Sequence, residues 1–339
     1  MKGIRVRIMK NVGLRMAVAL LVLGGGARAE TPPLKSLGYV LQAEGLGASR
    51  ADVVRRLAEC GRDGLILDVA FDGSEGGRWT RDEVETIRAG KPGRKVLAYL
   101  SIGEAEDYRH YWGTEWDADR DGKPDAKAPP WLCEENPDWK GNYKVRYWDG
   151  DWQALMLGEV DALVRAGFDG VYLDIVDGFE FFEWDAVRKD WIDNRKNSDT
   201  GNTFRVDMIR WVSRIAERAR RIQAGFWVVP QNGVQLLESA EYRAVLDGIG
   251  VEDLFTSGNR IRKSGDTEHV LGFLAKAKAD CKPVWVIEYG TTSNAIQRSI
   301  EGARENGFLL LVTDRDLKTL GDAGVEKSEE RFRLQVQRK

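Results

Sequence analysis

A chain of 339 residues, 42% of them hydrophobic and with a formal net charge of -3, has room for one large domain or two smaller ones. Its 51 Lys and Arg are interspersed with 54 Asp and Glu, which leaves no basic stripe and excludes an electrostatic footprint for nucleic acid. Three cysteines without CxxC spacing and two histidines leave little material for thiol, metal-thiolate or imidazole chemistry.

Along the chain, Lys2, Arg5, Arg7, Lys10 and Arg15 precede the apolar run "MAVALLVLGGG", and "ARA" follows at 27–29. That order predicts a secretory signal peptide over 1–29, so the mature chain is expected to be secreted or periplasmic. The run is too short to span a bilayer comfortably. From residue 37 onward short apolar strands alternate with amphipathic stretches: "LGYVLQ" (37–42), "GLILDV" (64–69), "KVLAYLSI" (95–102), "GVYLDI" (170–175), "FWVVPQ" (226–231), "GIGVED" (248–253), "VWVIEY" (284–289) and "FLLLVTD" (308–314). Near-continuous apolar strands separated by helices predict a parallel sheet with covered faces. Eight such units predict an α/β fold of the (β/α)8 TIM-barrel type over 30–325. A doubly wound sheet is disfavoured, since no G-x-G-x-x-G follows the first strand. Residues 103–151, rich in Trp, Pro, Asp and Gly, read as a long insertion after strand 3, and 190–203 as a shorter one after strand 4. Residues 326–339 read as a peripheral C-terminal tail, either a terminal helix or a frayed end. Of Cys60, Cys133 and Cys281, one pair could bridge in an oxidising compartment; the spacing does not say which.

Acidic residues end several of these strands. Asp68, Glu104, Asp174, Asp177, Glu252 and Glu288 would all reach the C-terminal rim, where a (β/α)8 barrel builds its active site. Like charges around a partly dry pocket raise one another's pKa, which suits a site that delivers a proton. Neither G-x-S-x-G nor HExxH occurs, which weakens serine hydrolase and zinc protease chemistry. Carboxylates with Gln231, Asn232 and strand tyrosines such as Tyr39 and Tyr289 are instead what glycoside cleavage uses. Twelve Trp fit either a packed core or platforms for sugar rings. Residues 117–125 read "DADRDGKPD", which offers Asp117, Asp119, Asp121, the Lys123 carbonyl and Asp125 as oxygen ligands for a structural Ca2+, with Gly122 at the turn. Position 12 of that loop is Ala128, so it is no complete EF-hand, and calcium there would order the loop without taking part in chemistry.

Together "GYVLQ", "LILDVAFDG", "VLAYLSIGEAEDYRHYW", "WLCEENPDWKGNYKVRYWDGDWQ", "GFDGVYLDIVDGFEFF", "VVPQNG" and "GVEDLF" resemble the glycoside hydrolase family 114, TM1410-like group of endo-α-1,4-polygalactosaminidases, over about residues 37–315. The resemblance implies a retaining endo-hydrolase of galactosamine-rich polysaccharide. It implies Asp174 as nucleophile and Glu252 as acid/base, with a carboxyl separation of about 5–5.5 Å. Asp68, Glu104, Asp177, Gln231, Asn232, Glu288, Tyr39 and Tyr289 are expected to bind substrate, with Asp68 and Glu288 as reserve acids. The expected partner is the polysaccharide alone, with no nucleic acid, no membrane insertion after signal cleavage and a monomeric chain. The competing reading is a non-catalytic carbohydrate-binding barrel.

Overall fold

Each of the eight apolar segments becomes a parallel strand in the computed structural model, which describes residues 33–338. The expected signal peptide lies outside the described residues. The strands are β1 (Leu37–Val40), β2 (Gly64–Leu67), β3 (Lys95–Ser101), β4 (Gly170–Asp174), β5 (Trp227–Pro230), β6 (Ile249–Glu252), β7 (Val284–Glu288) and β8 (Leu309–Val312). Each is followed by a helix: α1 (Arg50–Glu59), α2 (Arg81–Ala89), α3 (Gly150–Arg165), α4 (Phe204–Ile222), α5 (Ala240–Val245), α6 (Ser264–Ala279), α7 (Ser293–Asn306) and α8 (Val325–Gln337). Six of these eight helices, all but α6 and α8, start where a Ser, Thr or Asp side chain accepts an orphan first-turn N–H. Thr80 and Glu83 form a reciprocal capping box on α2, and Asp149 accepts from the N–H groups of Asp151 and Trp152 at the start of α3. The segment expected to be a peripheral tail is mostly α8. Its Ser328 is buried and its Arg331 pairs with Asp322 at 3.0 Å, so it completes the last β/α unit. No helix among the described residues is long and apolar enough to cross a membrane.

β1 to β5 pair in sequence order, and so do β6 to β8. A single parallel bridge, Gln231 to Gly250, joins the two sheets. On the other side, the loop after β8 meets β1, with Leu37 N–H donating to Ala323 O at 2.6 Å and Leu41 N–H to Leu317 O at 3.0 Å. The side chains divide by parity, as a closed sheet requires. Tyr39, Ile66, Tyr99, Tyr172, Val229, Trp285, Ile287 and Leu311 form one inner cluster, while Leu65, Leu67, Val171, Val228 and Val286 face the helices in a separate outer one.

Two connections on the C-terminal side of the strands carry structure of their own. Between β3 and α3 lies a three-stranded antiparallel sheet (Glu104–Glu106, Asn142–Val145, Leu132–Glu135). A chain of aromatic contacts through Trp112, Trp116, Trp131 and Trp152 holds it down. Trp152 of α3 and Trp211 of α4 both donate to Ile102 O, at 3.0 and 3.3 Å, which pins the chain just past β3. Between β4 and α4 come the short helix Phe179–Glu183 and a hairpin in which Trp184 lies opposite Trp191. Cys60, Cys133 and Cys281 are all free thiols, so no bridge ties these parts together.

Candidate active site

Asp174 closes β4, Gln231 follows β5 and Glu252 closes β6. The backbone places the three at one level: Gln231 N–H donates to Leu173 O at 2.7 Å, and its side-chain neighbour Asn232 donates its N–H to Gly250 O at 2.9 Å. Parity points all three inward, on the face of Tyr172 and Gly250. Gly250 is required there, since an added Cβ would lie 1.8 Å from Tyr172 Oη. Immediately after the three functional residues the chain turns left-handed: Ile175 has φ 54°, Asn232 φ 59° and Asp253 φ 50°. Asn and Asp tolerate this, but a β-branched Ile does so only under strain of about 1–3 kcal/mol.

The Gln231 amide holds the two carboxylates together. Its Nε2 donates to Asp174 Oδ1 at 3.0 Å and to Glu252 Oε2 at 2.7 Å. Two acceptors on one nitrogen cannot be farther apart than about 6 Å, twice a hydrogen-bond length, and an NH2 fork spreads them to about 5 Å. Tyr99 Oη donates to Asp174 Oδ2 at 2.7 Å, and Tyr289 Oη donates to Glu252 Oε1. Asn232 clamps Glu252 twice: Nδ2 donates to Oε2 at 3.4 Å, and Oδ1 accepts from Glu252 N–H at 3.1 Å. Burial, with the nearby Glu252 charge second, pushes the Asp174 carboxyl up to about 8. Burial also raises Glu252, against the Tyr289 and Asn232 hydrogen bonds. Burial and the adjacent carboxylates drive the Tyr99 and Tyr289 phenols well above their ordinary range, so both stay protonated donors. The pair therefore retains a proton near neutral pH, shared as coupled groups share one.

The carboxylates open onto a cleft of about 1220 Å³ whose lining holds eleven acidic residues against three basic ones, Lys140, Lys144 and Arg315. Asp177 lies in it, pushed up to about 7 by burial first and the Glu180 charge second. Tyr39 forms part of the floor, almost fully buried and edge-on to Tyr172 at 5.3 Å. Two expected binding residues line the cleft with their oxygens already engaged. Asp68 is bidentate to Arg109 at 2.8 and 2.7 Å, and Arg109 also holds Glu106 at 2.6 Å. Glu104 is fully buried under Lys144 and accepts from Asn136 Nδ2 at 2.8 Å. Gln231, expected to touch substrate, spends its donor on the two carboxylates and is 3% exposed.

Glu288 is not in the cleft. It is 0% exposed and accepts from Phe255 N–H at 2.7 Å and from Thr256 Oγ1, tying the β6–α6 loop to β7. The reason is parity. Trp285, Ile287 and Tyr289 point into the barrel, so Glu288 points out with Val286. In the acidic loop, Asp117, Asp119 and Asp121 bring carboxylate oxygens within 4.8 Å of one another. Asp125 instead accepts from Ala118 N–H at 2.8 Å, and Lys123 donates its N–H to Asp121 Oδ1 at 2.9 Å.

Several participants had no sequence signal of their own. Tyr39, Tyr99 and Tyr172 lie on strands and Tyr289 directly follows β7, and nothing in the sequence sets Tyr99 apart from the other three. Arg315 stacks on the Tyr289 ring at 4.1 Å and pairs with Asp253 at 2.5 Å, so it braces the phenol that holds Glu252. Tyr108, Trp139, Trp184 and Trp191 line the cleft, while six of the twelve Trp are buried.

Residues 72–331 match the sequence profile of glycoside-hydrolase family GH114. An uncharacterised protein of Deinococcus radiodurans is 34% identical over 257 residues, 76% of this chain and 74% of that one. An uncharacterised protein of Methanocaldococcus jannaschii is 34% identical over 270 residues, 76% of this chain and 71% of that one. In three dimensions the chain resembles the glycoside hydrolase domain of PelA from Pseudomonas aeruginosa, with TM-score 0.58 and 17% identity over 85% of this chain and 98% of that one. It resembles Aspergillus fumigatus Ega3, solved with galactosamine, with TM-score 0.58 and 17% identity over 87% of this chain and 97% of that one. At that identity the likeness establishes the shared fold.

Proposed function

The chain belongs to glycoside-hydrolase family GH114, and from that premise we propose that it is an exported enzyme cleaving α-1,4-linked, galactosamine-rich polysaccharide with retention at the anomeric carbon. One observation carries the reading: Asp174 and Glu252 share the Gln231 amide inside an acidic cleft. Retaining hydrolases hold their carboxyl groups about 5–5.5 Å apart, whereas inverting ones need about 6.5–9.5 Å to admit a water. A spacing of about 5 Å between the two oxygens that share the Gln231 NH2 fork supports the first.

In the mechanism, Asp174 attacks the anomeric carbon while Glu252 gives its proton to the departing oxygen. Water, deprotonated by Glu252, then releases the sugar from Asp174. Raised carboxyl pKa values keep a proton available to the pair near neutrality. That proton must sit on Glu252 when Asp174 attacks. The positive charge developing on the sugar ring beside Asp174 favours its ionised form and so drives the proton that way. The excess of acids along the cleft favours a cationic amino-sugar polymer over a neutral one, and screening by salt should weaken its capture.

Incubating the mature chain with amino-sugar polymers, and reading fragments by mass spectrometry and the first-formed anomer by NMR, tests this. Fragments ending in the α-anomer are expected from wild type. Asp174→Asn should abolish cleavage and keep binding. An equally active Asp174→Asn variant, or a first-formed β-anomer, refutes the assignment. We further propose that Asp117, Asp119 and Asp121 hold a calcium ion that orders the β3–α3 connection without entering the chemistry.

A further inference from the structure

Large rings left in water are uncommon on a surface with this much charge, and rings gathered in one place mark a recognition site. Among the described residues the exposed aromatic side chains are Tyr108, Trp139 and Trp191, 53%, 55% and 60% exposed. All three line the cleft that holds Asp174 and Glu252, and the half-buried Trp184 joins them. None is needed to fill the core, since the inner and outer clusters close without them.

The rings are also one-sided. Tyr108 and Trp139 come from the β3–α3 connection, Trp184 and Trp191 from the β4–α4 hairpin. The wall contributed by the loops after β1 and β8 has Leu41, Gln42, Glu44, Arg315, Asp316 and Leu317 and no ring, the Tyr39 of β1 lying below it in the floor. The ring-bearing backbones are fixed. Trp139 N–H donates to Asn136 O at 3.2 Å and its carbonyl accepts from Asn142 N–H at 3.1 Å. Trp184 O accepts from Arg195 Nη1 at 2.8 Å, and the Trp184 and Trp191 rings meet edge-on at 4.5 Å. Such sites lose little order on binding, which favours affinity.

We propose that these two loops carry ring-stacking subsites that grip an amino-sugar chain on the β3–β4 side of the catalytic pair, one platform at Trp139 and Tyr108 and one at Trp184 and Trp191. The proposal rests on the hydrolase reading and deepens it. The apolar faces of pyranose rings pack on the indoles. The cleft residues beside them, Asp138 next to Trp139 and Glu180 and Asp177 ahead of Trp184, supply negative charge for the protonated amines. A chain held on the ring-bearing side stays bound after cleavage, while the fragment over the ringless wall leaves first. At about 1220 Å³ the cleft exceeds the roughly 300–1,000 Å³ of a site for a drug-sized molecule, as an oligomer requires.

The test uses the full mature chain carrying Asp174→Asn, so that nothing is hydrolysed, titrated with α-1,4-linked galactosamine oligomers of increasing length by calorimetry and tryptophan fluorescence. Affinity should rise with length. Trp139→Ala and Trp191→Ala should each weaken the long oligomers more than about tenfold, and the fluorescence change should shrink in each. Val187→Ala, exposed on the same hairpin but outside the cleft, should bind as the parent does. Binding of long oligomers by the parent with both Trp variants unchanged overturns the subsites and leaves the hydrolase reading standing. No binding by the parent at any length removes both.

Discussion

Replacing Asp174 by Asn should make the protein more stable as it makes it inactive, and the gain should depend on pH. The carboxyl stands at about 8 in the folded chain against 3.8 when unperturbed. Below the unperturbed value both folded and unfolded chains carry the proton and the group contributes nothing. Between 3.8 and about 8 the unfolded chain has released the proton while the folded one still holds it, so stability falls as pH rises through that window. Above it the penalty is complete. A rise of that size has a ceiling of roughly 6 kcal/mol. The carboxyl borders an open cleft, and the Tyr99 hydroxyl can turn, so a gain of about 1–2 kcal/mol is the expected remainder. Asn fits the existing partners: its oxygen keeps the Gln231 donor and its NH2 faces Tyr99 Oη, whose hydroxyl can rotate to accept. Thermal melts of wild type and Asp174→Asn at steps from pH 5 to 8.5 read the effect directly. The difference in Tm should be small at the acid end and grow to a plateau near pH 8. A constant difference, or one that shrinks with rising pH, would refute the claim that this carboxyl is held protonated by its surroundings.

Three further outcomes follow from named contacts. Gln231→Leu removes the donor shared by both carboxylates, so their ionisation, followed by 13C NMR of labelled side chains, should move up by about one pH unit, the worth of a hydrogen bond to a charged group; unmoved titrations would mean the amide does not bridge them. Glu288→Leu strands the Phe255 N–H in the core and should cost about 1–3 kcal/mol in urea melts with turnover of the folded protein preserved, whereas lost turnover at full stability would return Glu288 to the active site. A calcium chelator should increase protease cleavage between residues 117 and 125 and leave the Asp174 and Glu252 titrations in place, and an unchanged digestion pattern removes the metal.

Much of this architecture was legible because a buried parallel strand has few ways to be written. Eight apolar runs bounded by turn residues gave eight strands, each within two residues of its expected ends. The inward acids followed from the same rule: Asp174 shares its face with Tyr172, and Asp68 with Ile66. Glu288 does end β7, but the parity set by Trp285, Ile287 and Tyr289 turns it away from the cleft, so a strand-end acid reaches the site only when it falls on the inward register. Gln231 was seen as a polar residue near the rim, but its double hydrogen bond depends on how β4, β5 and β6 stand side by side, which no single segment encodes. The exposed rings were hidden for another reason. Composition gives Trp its number and not its place, and tertiary packing sends Trp152 inside while leaving Trp191 in water.

The left-handed residues at 175, 232 and 253 explain how so much unfavourable charge is kept in one spot. A strand that simply continued would carry its acid away from its neighbours into solvent, where like charges relax apart. Instead the chain turns sharply after each functional residue and the backbone there is tied down: Asn232 N–H donates to Gly250 O at 2.9 Å, Asp253 N–H to Ile287 O at 3.0 Å, and the Asp174 carbonyl accepts from Ile102 N–H, just past β3, at 3.1 Å. These bonds hold the strand ends level, and the Gln231 fork then fixes the gap between the carboxyl groups. The strain at Ile175 and the desolvation of both acids are offset elsewhere, by the inner cluster of tyrosines, tryptophans and aliphatic residues packed directly beneath. Stability and reactivity are thus spatially separated along each strand, with packing at the lower end and proton chemistry at the upper, and the carboxylates can be placed at odds with their surroundings because the barrel below leaves them nowhere to go.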